Sequence, residues 1–308
     1  MNMDHVDKLR RVIKASGMTQ ESLARHLGVS FPTLNSWVNG RSQPRRAALT
    51  RIDLAYVEFV DGIPLDDEGL KKLIASAESC RLRVEQLIGN KPRLDKLTLL
   101  LTYHTDAIEG STMTLADTDA VLFRNQALSN RTLVEQLEAK NHQTTLWWLL
   151  DRMNAKEFTV DEGLILDLHT RLMNGVITNA GRYRNHGVRI AGTRVTVANH
   201  LRIPELVNEL CLQPPDTQES LIAFMARQHS QFERIHPFSD GNGRIGRLLI
   251  LAYALQHGAV PPVIKRERRA LYYKALETAQ LNEDYQLLEQ LIAESILTTD
   301  QEVLKGSN

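Results

Sequence analysis

One dodecapeptide, His236-Pro-Phe-Ser-Asp-Gly-Asn-Gly-Arg-Ile-Gly-Arg247, gathers an imidazole, a carboxylate, a glycine-rich turn and two guanidiniums in a single short stretch. Gly241 and Gly243 let backbone N–H groups turn inward on an anion. Ile245, Leu248, Leu249, Ala252 and Leu255 follow at helical spacing and stop near Gly258, so the turn opens a helix. Orphan N–H groups and the macrodipole favour phosphate at that position. Arg244 and Arg247 are three apart and share one face, a spacing that suits successive phosphates. Asp240 is a hard oxygen ligand of the kind Mg²⁺ takes beside substrate phosphates. His236 can accept a proton near neutral pH. Phe238 is the apolar anchor, its ring expected beneath the loop. The run is neither a P-loop, since no Lys-Ser/Thr follows the glycines, nor a dinucleotide fingerprint, since the strand and glycine spacing are missing.

These residues resemble the signature of the Fic family, His-x-Phe-x-(Asp/Glu)-Gly-Asn-Gly-Arg-x-x-Arg, with no departure at any signature position. Most members transfer AMP from ATP to a hydroxyl side chain of a target protein. The resemblance implies His236 as the base that deprotonates the hydroxyl and Asp240 as the Mg²⁺ holder. Gly241, Asn242 and Gly243 would form the anion cradle, and Arg244 and Arg247 would hold the β- and γ-phosphates. Attack at the α-phosphate comes from the family and not from the spacing.

Upstream, Thr105-Asp-Ala-Ile-Glu109-Gly110 resembles the family's inhibitory motif, (Ser/Thr)-x-x-x-Glu-(Gly/Asn). A glutamate aimed into the site would take the guanidinium meant for the γ-phosphate, here Arg247, through a strong but reversible charge-assisted pair. Gly110 also reads as the cap of a helix C-terminus. Between the two motifs, Gly181-Arg-Tyr-Arg184 precedes Val188–Val197, which alternates around Ile190, Ala191, Gly192 and Thr193 and reads as a β-hairpin. The family's flap lies there, and its edge would position a target segment by strand addition.

The first sixty residues form a different unit. A helix from Asp4 to Ala15 ends at Gly17, Thr19 opens a second through Leu23, Ala24 and Leu27, and Ser30 caps a third with Pro32 in its first turn. Helix, tight turn at Gly28-Val-Ser30, helix is the helix-turn-helix pattern. The wording Thr-Gln-Glu-Ser-Leu-Ala-Arg-His-Leu-Gly-Val-Ser is similar to Cro/repressor-type DNA-binding domains. That comparison sends the third helix into the major groove with Ser30, Phe31, Thr33, Asn35 and Ser36. Asn39, Arg41, Gln43, Arg45 and Arg46 would flank it. Residues 1–51 hold nine Lys and Arg against three acids, whereas the whole 308-residue chain balances 37 against 37. A basic head on an acidic body suits nucleic acid at one end only. Such heads usually bind as symmetric pairs, which makes a homodimer plausible.

The expected architecture is mainly α. It comprises a helix-turn-helix domain over 1–60, a helical linker over 61–95 and a Fic-type helical bundle over 96–300. The bundle would carry the inhibitory helix at about 100–111, a small β-hairpin flap at about 186–198 and the signature loop at 236–247. Thr132 to Asp151, Glu219 to Gln231 and Arg266 to Gln290 read as further helical stretches. No run reaches the eighteen or so apolar residues of a membrane span. The opening Met-Asn-Met-Asp-His lacks a signal-peptide pattern, and Cys80 and Cys211 match no metal spacing. A cytoplasmic protein with reduced thiols is expected. The functional expectation is a Mg²⁺-dependent adenylyltransferase using ATP on a protein target, the chain itself among the candidates, with DNA as a second partner and control of its own promoter as an extra role. Two alternatives stand beside it. One is a transcriptional regulator with a Fic-like sensor body; the other is an enzyme of this fold with different phosphate chemistry, phosphorylation or AMP removal. The intact set His236, Asp240, Asn242, Arg244 and Arg247 favours the transferase.

Overall fold

The computed structural model describes residues 4–155, 157–190, 192–216 and 219–306. The head has four helices, α1 (His5–Ser16), α2 (Gln20–His26), α3 (Phe31–Val38) and α4 (Arg46–Tyr56). Its breaks are those the side chains dictate. The Asp4 carboxylate accepts from Asp7 N at 2.8 Å, Thr19 Oγ1 from Ser22 N at 3.2 Å and Ser30 Oγ from Thr33 N at 3.4 Å. Each satisfies a helix-start donor. Gly17 closes α1 in the left-handed region, at φ +66°. Leu9, Val12, Leu23, Leu27, Leu34 and Ile52 bury their side chains in one small core that draws on all four helices.

The body follows as α5 (Asp67–Glu78), α6 (Val84–Ile88), α7 (Lys91–Glu109), α8 (Leu115–Arg124), α9 (Leu133–Met153), α10 (Glu162–Leu172), α11 (Ile203–Leu212), α12 (Leu221–Ile235), α13 (Asn242–Gln256), α14 (Arg269–Asn282) and α15 (Gln286–Thr299). Single π-turns occupy Val57–Asp61 and Asp300–Lys305. α13 is the centre: Ile245 and Leu248 through Leu255 are all buried, with α7, α9, α10 and α12 packed around it. A helix buried on every side shows little amphipathic contrast, and α13 reads as a nearly continuous apolar run. Ala77, Leu82, Val84 and Leu87 enter the same core, so the segment after the head is packed against the bundle along α15. Among the described residues no helix is long and apolar enough to cross a membrane.

Two expectations change. The stretch from Arg266 to Gln290 is not one helix. It breaks at Glu283, which stands at φ +56° after Asn282, and restarts as α15. The β-hairpin is also not found. Among the described residues of 186–198 no strand is formed, and the isolated β-bridge found is Arg81 with Ala259. Gly192 does turn, at φ +80°, while Ala191 lies outside the described residues. The arms do not form a ladder because their hydrogen bonds go to the bundle. Arg194 N donates to Glu277 Oε1 at 3.0 Å and Ala198 N to Arg234 O at 3.1 Å. A two-stranded ribbon alone is marginal, so bonds to a fixed helix can replace it.

The head joins the body through charge as well as chain. Arg268, just before α14, reaches both Asp61 and Glu294, and Lys274 Nζ donates to the Gly62 carbonyl at 3.3 Å. Because the head keeps its own small core, Leu34→Ala should cost about 2–5 kcal/mol within the head alone. Differential scanning calorimetry should then show a separate low-temperature transition while the main transition of the body stays in place.

Candidate functional site

The site lies at the corner between α12 and α13. α12 ends at His236, which stands in the left-handed region at φ +50°. Histidine tolerates that region better than most side chains, but it must be held there. Arg184 holds it. This guanidinium is 2% exposed and meets carbonyls at every point. It donates to His236 O at 2.7 Å, Ile235 O at 3.3 Å, Ala198 O at 2.6 Å and His186 O at 2.7 Å. A cation at the C-terminal carbonyls of α12 is electrostatically favoured. It also ties both arms of the 186–198 segment to the backbone of His236.

The loop is then closed on itself. Asn242 Oδ1 accepts from Phe238 N at 2.9 Å and its Nδ2 donates to Phe238 O at 2.8 Å. Asn242 is 2% exposed, so its side chain is spent within the loop and what it can offer an anion is its backbone N–H. Phe238 is fully buried, as expected, and stacks on His169 with centroids 3.7 Å apart and planes 4° from parallel. His169 Nδ1 accepts from Gly181 N at 2.8 Å, so the proton sits on Nε2, 3.1 Å from Asp240 O. Burial pushes His169 down to about 4, which keeps it in that neutral tautomer.

α13 begins with no side-chain cap, leaving the first-turn N–H groups of Asn242, Gly243 and Arg244 aimed at the loop mouth. Asp240 stands beside them. Its Oδ1 takes both of its bonds, from Gly241 N at 2.6 Å and Arg244 Nη2 at 3.3 Å, and its side chain is 56% exposed. Among the described residues no cluster of three or more metal-ligating side chains exists. One accessible carboxylate at an anion-binding turn still fits Mg²⁺, which commonly takes one carboxylate with substrate phosphates and water. Arg244 is 3% exposed and already paired, donating to Glu138 Oε1 on α9 at 2.7 Å.

His236 presents its ring to this mouth. Its Nδ1 lies 3.3 Å from Glu233 O, an acceptor, so Nδ1 carries the proton and Nε2 keeps its lone pair. Burial lowers the His236 pKa, so the ring is neutral and able to accept a proton at physiological pH.

Arg247 fills the floor, with all its guanidinium nitrogens engaged. Nε donates to Thr105 Oγ1 at 2.6 Å, Nη1 to the Tyr272 hydroxyl at 3.2 Å, and Nη2 to Glu109 Oε1 at 2.6 Å and Thr105 O at 3.4 Å. Glu109 ends α7, with Gly110 at φ +113° as its left-handed cap. The same Glu109 oxygen lies over Gly243, where any Cβ would collide with it. A carboxylate therefore rests against both Arg247 and the open turn of α13.

The structure thus brings together His236, Asp240, Gly241, Asn242, Gly243, Arg244, Arg247 and Glu109. Thr193 stands at the side, its Oγ1 donating to Glu277 Oε1 at 3.0 Å, with Ile190 and Gly192 next in the chain. The residues expected to read DNA are remote, on the head. Ser30, Phe31, Arg41 and Arg45 are exposed, whereas Asn35 Nδ2 bonds Gln20 Oε1 at 3.2 Å and Ser36 Oγ lies 2.7 Å from Ser42 Oγ. Sequence reasoning did not assign Arg184, His169, Glu138, Tyr272 or Glu233. Arg184 closes the Gly-Arg-Tyr-Arg run and Glu233 stands three residues before His236, whereas His169, Glu138 and Tyr272 carry no local pattern because each reaches the site from a helix distant in the chain.

A small helical bundle built around a His-bearing corner and an anion-binding helix start is the class of fold this geometry defines. Residues 159–254 match the model of the Fic/DOC family and residues 9–56 that of a helix-turn-helix domain. Over residues 159–254 the chain is thus similar to the Fic/DOC family, and over residues 9–56 to helix-turn-helix domains. A protein adenylyltransferase Fic of Nematostella vectensis is 31% identical over 186 residues, covering 58% of this chain and 42% of that protein. The protein adenylyltransferase fic-1 of Caenorhabditis elegans is 30% identical over 191 residues, covering 60% of this chain and 37% of that one. The chain therefore spans about two fifths of the length of these curated relatives. Among solved structures, Fic-1 from C. elegans superposes with a TM-score of 0.66 at 21% identity, over 97% of this chain and 96% of that one. A Fic family protein from Desulfovibrio desulfuricans gives 0.60 at 26% identity, over 79% and 76%.

Replacing Arg184 with Met would strip four carbonyls of their donor. Stability should fall by about 2–4 kcal/mol. Arg184→Lys should recover little, since one ammonium cannot span the set. Guanidinium denaturation measures the loss, and limited proteolysis should cut first within 184–199.

Proposed function

We propose that this protein transfers AMP from ATP to a hydroxyl side chain of a target protein, and that Glu109 holds the site shut. The observation that carries the reading is the placement of the Glu109 carboxylate on Arg247 and over Gly243, on the first turns of the helix that follows the His236 corner.

The chemistry follows from the residues. His236 Nε2 takes the proton of the incoming hydroxyl. The hydroxyl oxygen forms a bond to the α-phosphorus, the bond from that phosphorus to the α–β bridging oxygen breaks, and pyrophosphate leaves. The N–H groups at the start of α13 stabilise the charge on the phosphates in a preorganised way. Arg247 holds the terminal phosphate, and Arg244, neutralised by Glu138, shapes the mouth. Asp240 would hold Mg²⁺, whose charge when bound offsets that of the phosphates. Segment 186–198 lines up the target, with its backbone as the guide. The name protein adenylyltransferase carried by the curated relatives supports the same reaction.

Inhibition is a competition for one place. Phosphate and the Glu109 carboxylate want the same guanidinium and the same helix start. Thr105 strengthens the latch, because it engages Arg247 through both its hydroxyl and its carbonyl.

The head is proposed to bind DNA through α3, with Ser30, Phe31 and Thr33 toward the bases and Arg41, Arg45 and Arg46 toward phosphates. The excess of six positive charges within residues 1–51 supports this.

Two outcomes are expected. With α-³²P-ATP, Glu109→Gly should raise label transfer to protein at least tenfold, and adding His236→Ala should abolish it while ATP still binds; undiminished transfer without the imidazole refutes the base assignment. Fluorescence anisotropy with duplex DNA should show binding that weakens steeply between 50 and 200 mM salt and that Arg41→Ala with Arg45→Ala flattens by about two units of salt slope.

A further inference from the structure

We propose that Glu233 is the positioning partner of His236, a buried carboxyl that ionises behind the imidazole and so sets how strongly that ring binds a proton. The inference rests on the adenylyltransferase reading for its role in catalysis, but the pairing itself stands on geometry.

Glu233 is 6% exposed, on the last turn of α12. Its Oε2 lies 3.8 Å from His236 Nδ1, and its Oε1 is buried with no hydrogen-bond partner. An unpaired buried oxygen is costly, so packing alone gives no reason for a carboxyl here. Room for it is reserved across the helix interface. A Cβ on Gly246 of α13 would sit 2.7 Å from Oε1. The fold thus places an acid where an apolar side chain would cost less, facing the ring nitrogen opposite the one that would meet substrate.

The other groups around it can be named. On α12, His229 and His236 flank it. From α13 comes Arg247, from α7 Glu109, and from α14 Tyr272. Around His236 itself lie Arg184, Glu109 and Asp240. His229 is neutral, pushed down to about 3 by burial, and its Nε2 lies 2.8 Å from the Tyr272 hydroxyl. Burial lifts Glu233 to about 8, with Arg247 opposing and Glu109 adding to the rise. At neutral pH the carboxyl therefore holds its proton. Above about 8 it becomes a carboxylate 3.8 Å from Nδ1, whose proton is bonded to the Glu233 carbonyl, and its charge stabilises the imidazolium and makes Nε2 a stronger base. Removing the Glu109 charge makes that ionisation easier.

The test uses the full chain carrying Glu109→Gly, with and without Glu233→Gln, a near-isosteric change that cannot ionise. The His236 ring is titrated by NMR with ¹⁵N-labelled histidine, and transfer from α-³²P-ATP is followed from pH 6 to 9.5. With Glu233 present, the ring resonances should show a second inflection on the alkaline side and transfer should rise through the same range. Glu233→Gln should remove both and lower kcat at pH 9 by on the order of tenfold, leaving KM for ATP unchanged. Glu233→Asp, which keeps an ionisable group, should restore part of the alkaline rise. Identical titrations and profiles for Glu and Gln overturn the proposal, as does a loss confined to KM or to thermal stability. If the Glu109→Gly protein transfers no label at all, the adenylyltransferase reading fails, while the NMR titration still decides the pairing.

Discussion

The structure turns on one buried cation. Arg247 sits in the middle of the bundle on the first turns of α13, and a guanidinium there is tolerable only if every donor has an acceptor. Thr105 and Glu109 supply acceptors from α7, and Tyr272 from α14. Tyr272 is in turn satisfied by His229 on α12. Two helices distant in sequence, and the neighbouring α12 behind them, are thus committed to one side chain. A cation so placed binds an anion wherever one can reach it, and in the resting chain that anion is the protein's own Glu109.

The same economy governs the loop above it. No single bond fixes the corner at His236. Arg184 fixes its backbone, Asn242 closes the turn, and His169 supports Phe238 and the Asp240 carbonyl. These are side chains satisfying backbone groups in a segment that has no regular structure to satisfy them. The loop is rigid because its polar groups are accounted for, and that is what lets an exposed Asp240 and open N–H groups face outward in a defined geometry.

Much of this was legible in the sequence. The helix starts at Asp4, Thr19, Ser30 and Thr132 are local chemistry, since a capping side chain contacts its own neighbours. The anchor role of Phe238 was readable in the signature run, whereas the approach of Glu109 to Arg247 was implied by the family resemblance, since Thr-x-x-x-Glu-Gly equally reads as a capped helix end. No strand forms among the described residues of 186–198, although alternation around Gly192 is a real signal. Alternation reports which side chains face one way, whereas a ladder depends on what the backbone can bond. Here Glu277 and Arg234 offered fixed partners that the pattern could not reveal. The break at Glu283 was hidden because apolar residues continue at helical spacing on both sides of it.

What the sequence by itself determined is the set of chemical groups and their local frames: an imidazole, a carboxylate, a glycine-rich helix start and a basic helix-turn-helix head. Those depend on residues within a turn of one another. Only the tertiary structure decided the state of those groups. The pairing of Arg244 with Glu138 and the anchoring by Arg184 depend on partners distant in the chain, and the neutrality of His236 and the buried carboxyl of Glu233 depend on what the fold packs around them. Electrostatic energies in a low-dielectric interior are set by what lies within a few ångströms in space, and separation along the chain carries no record of that.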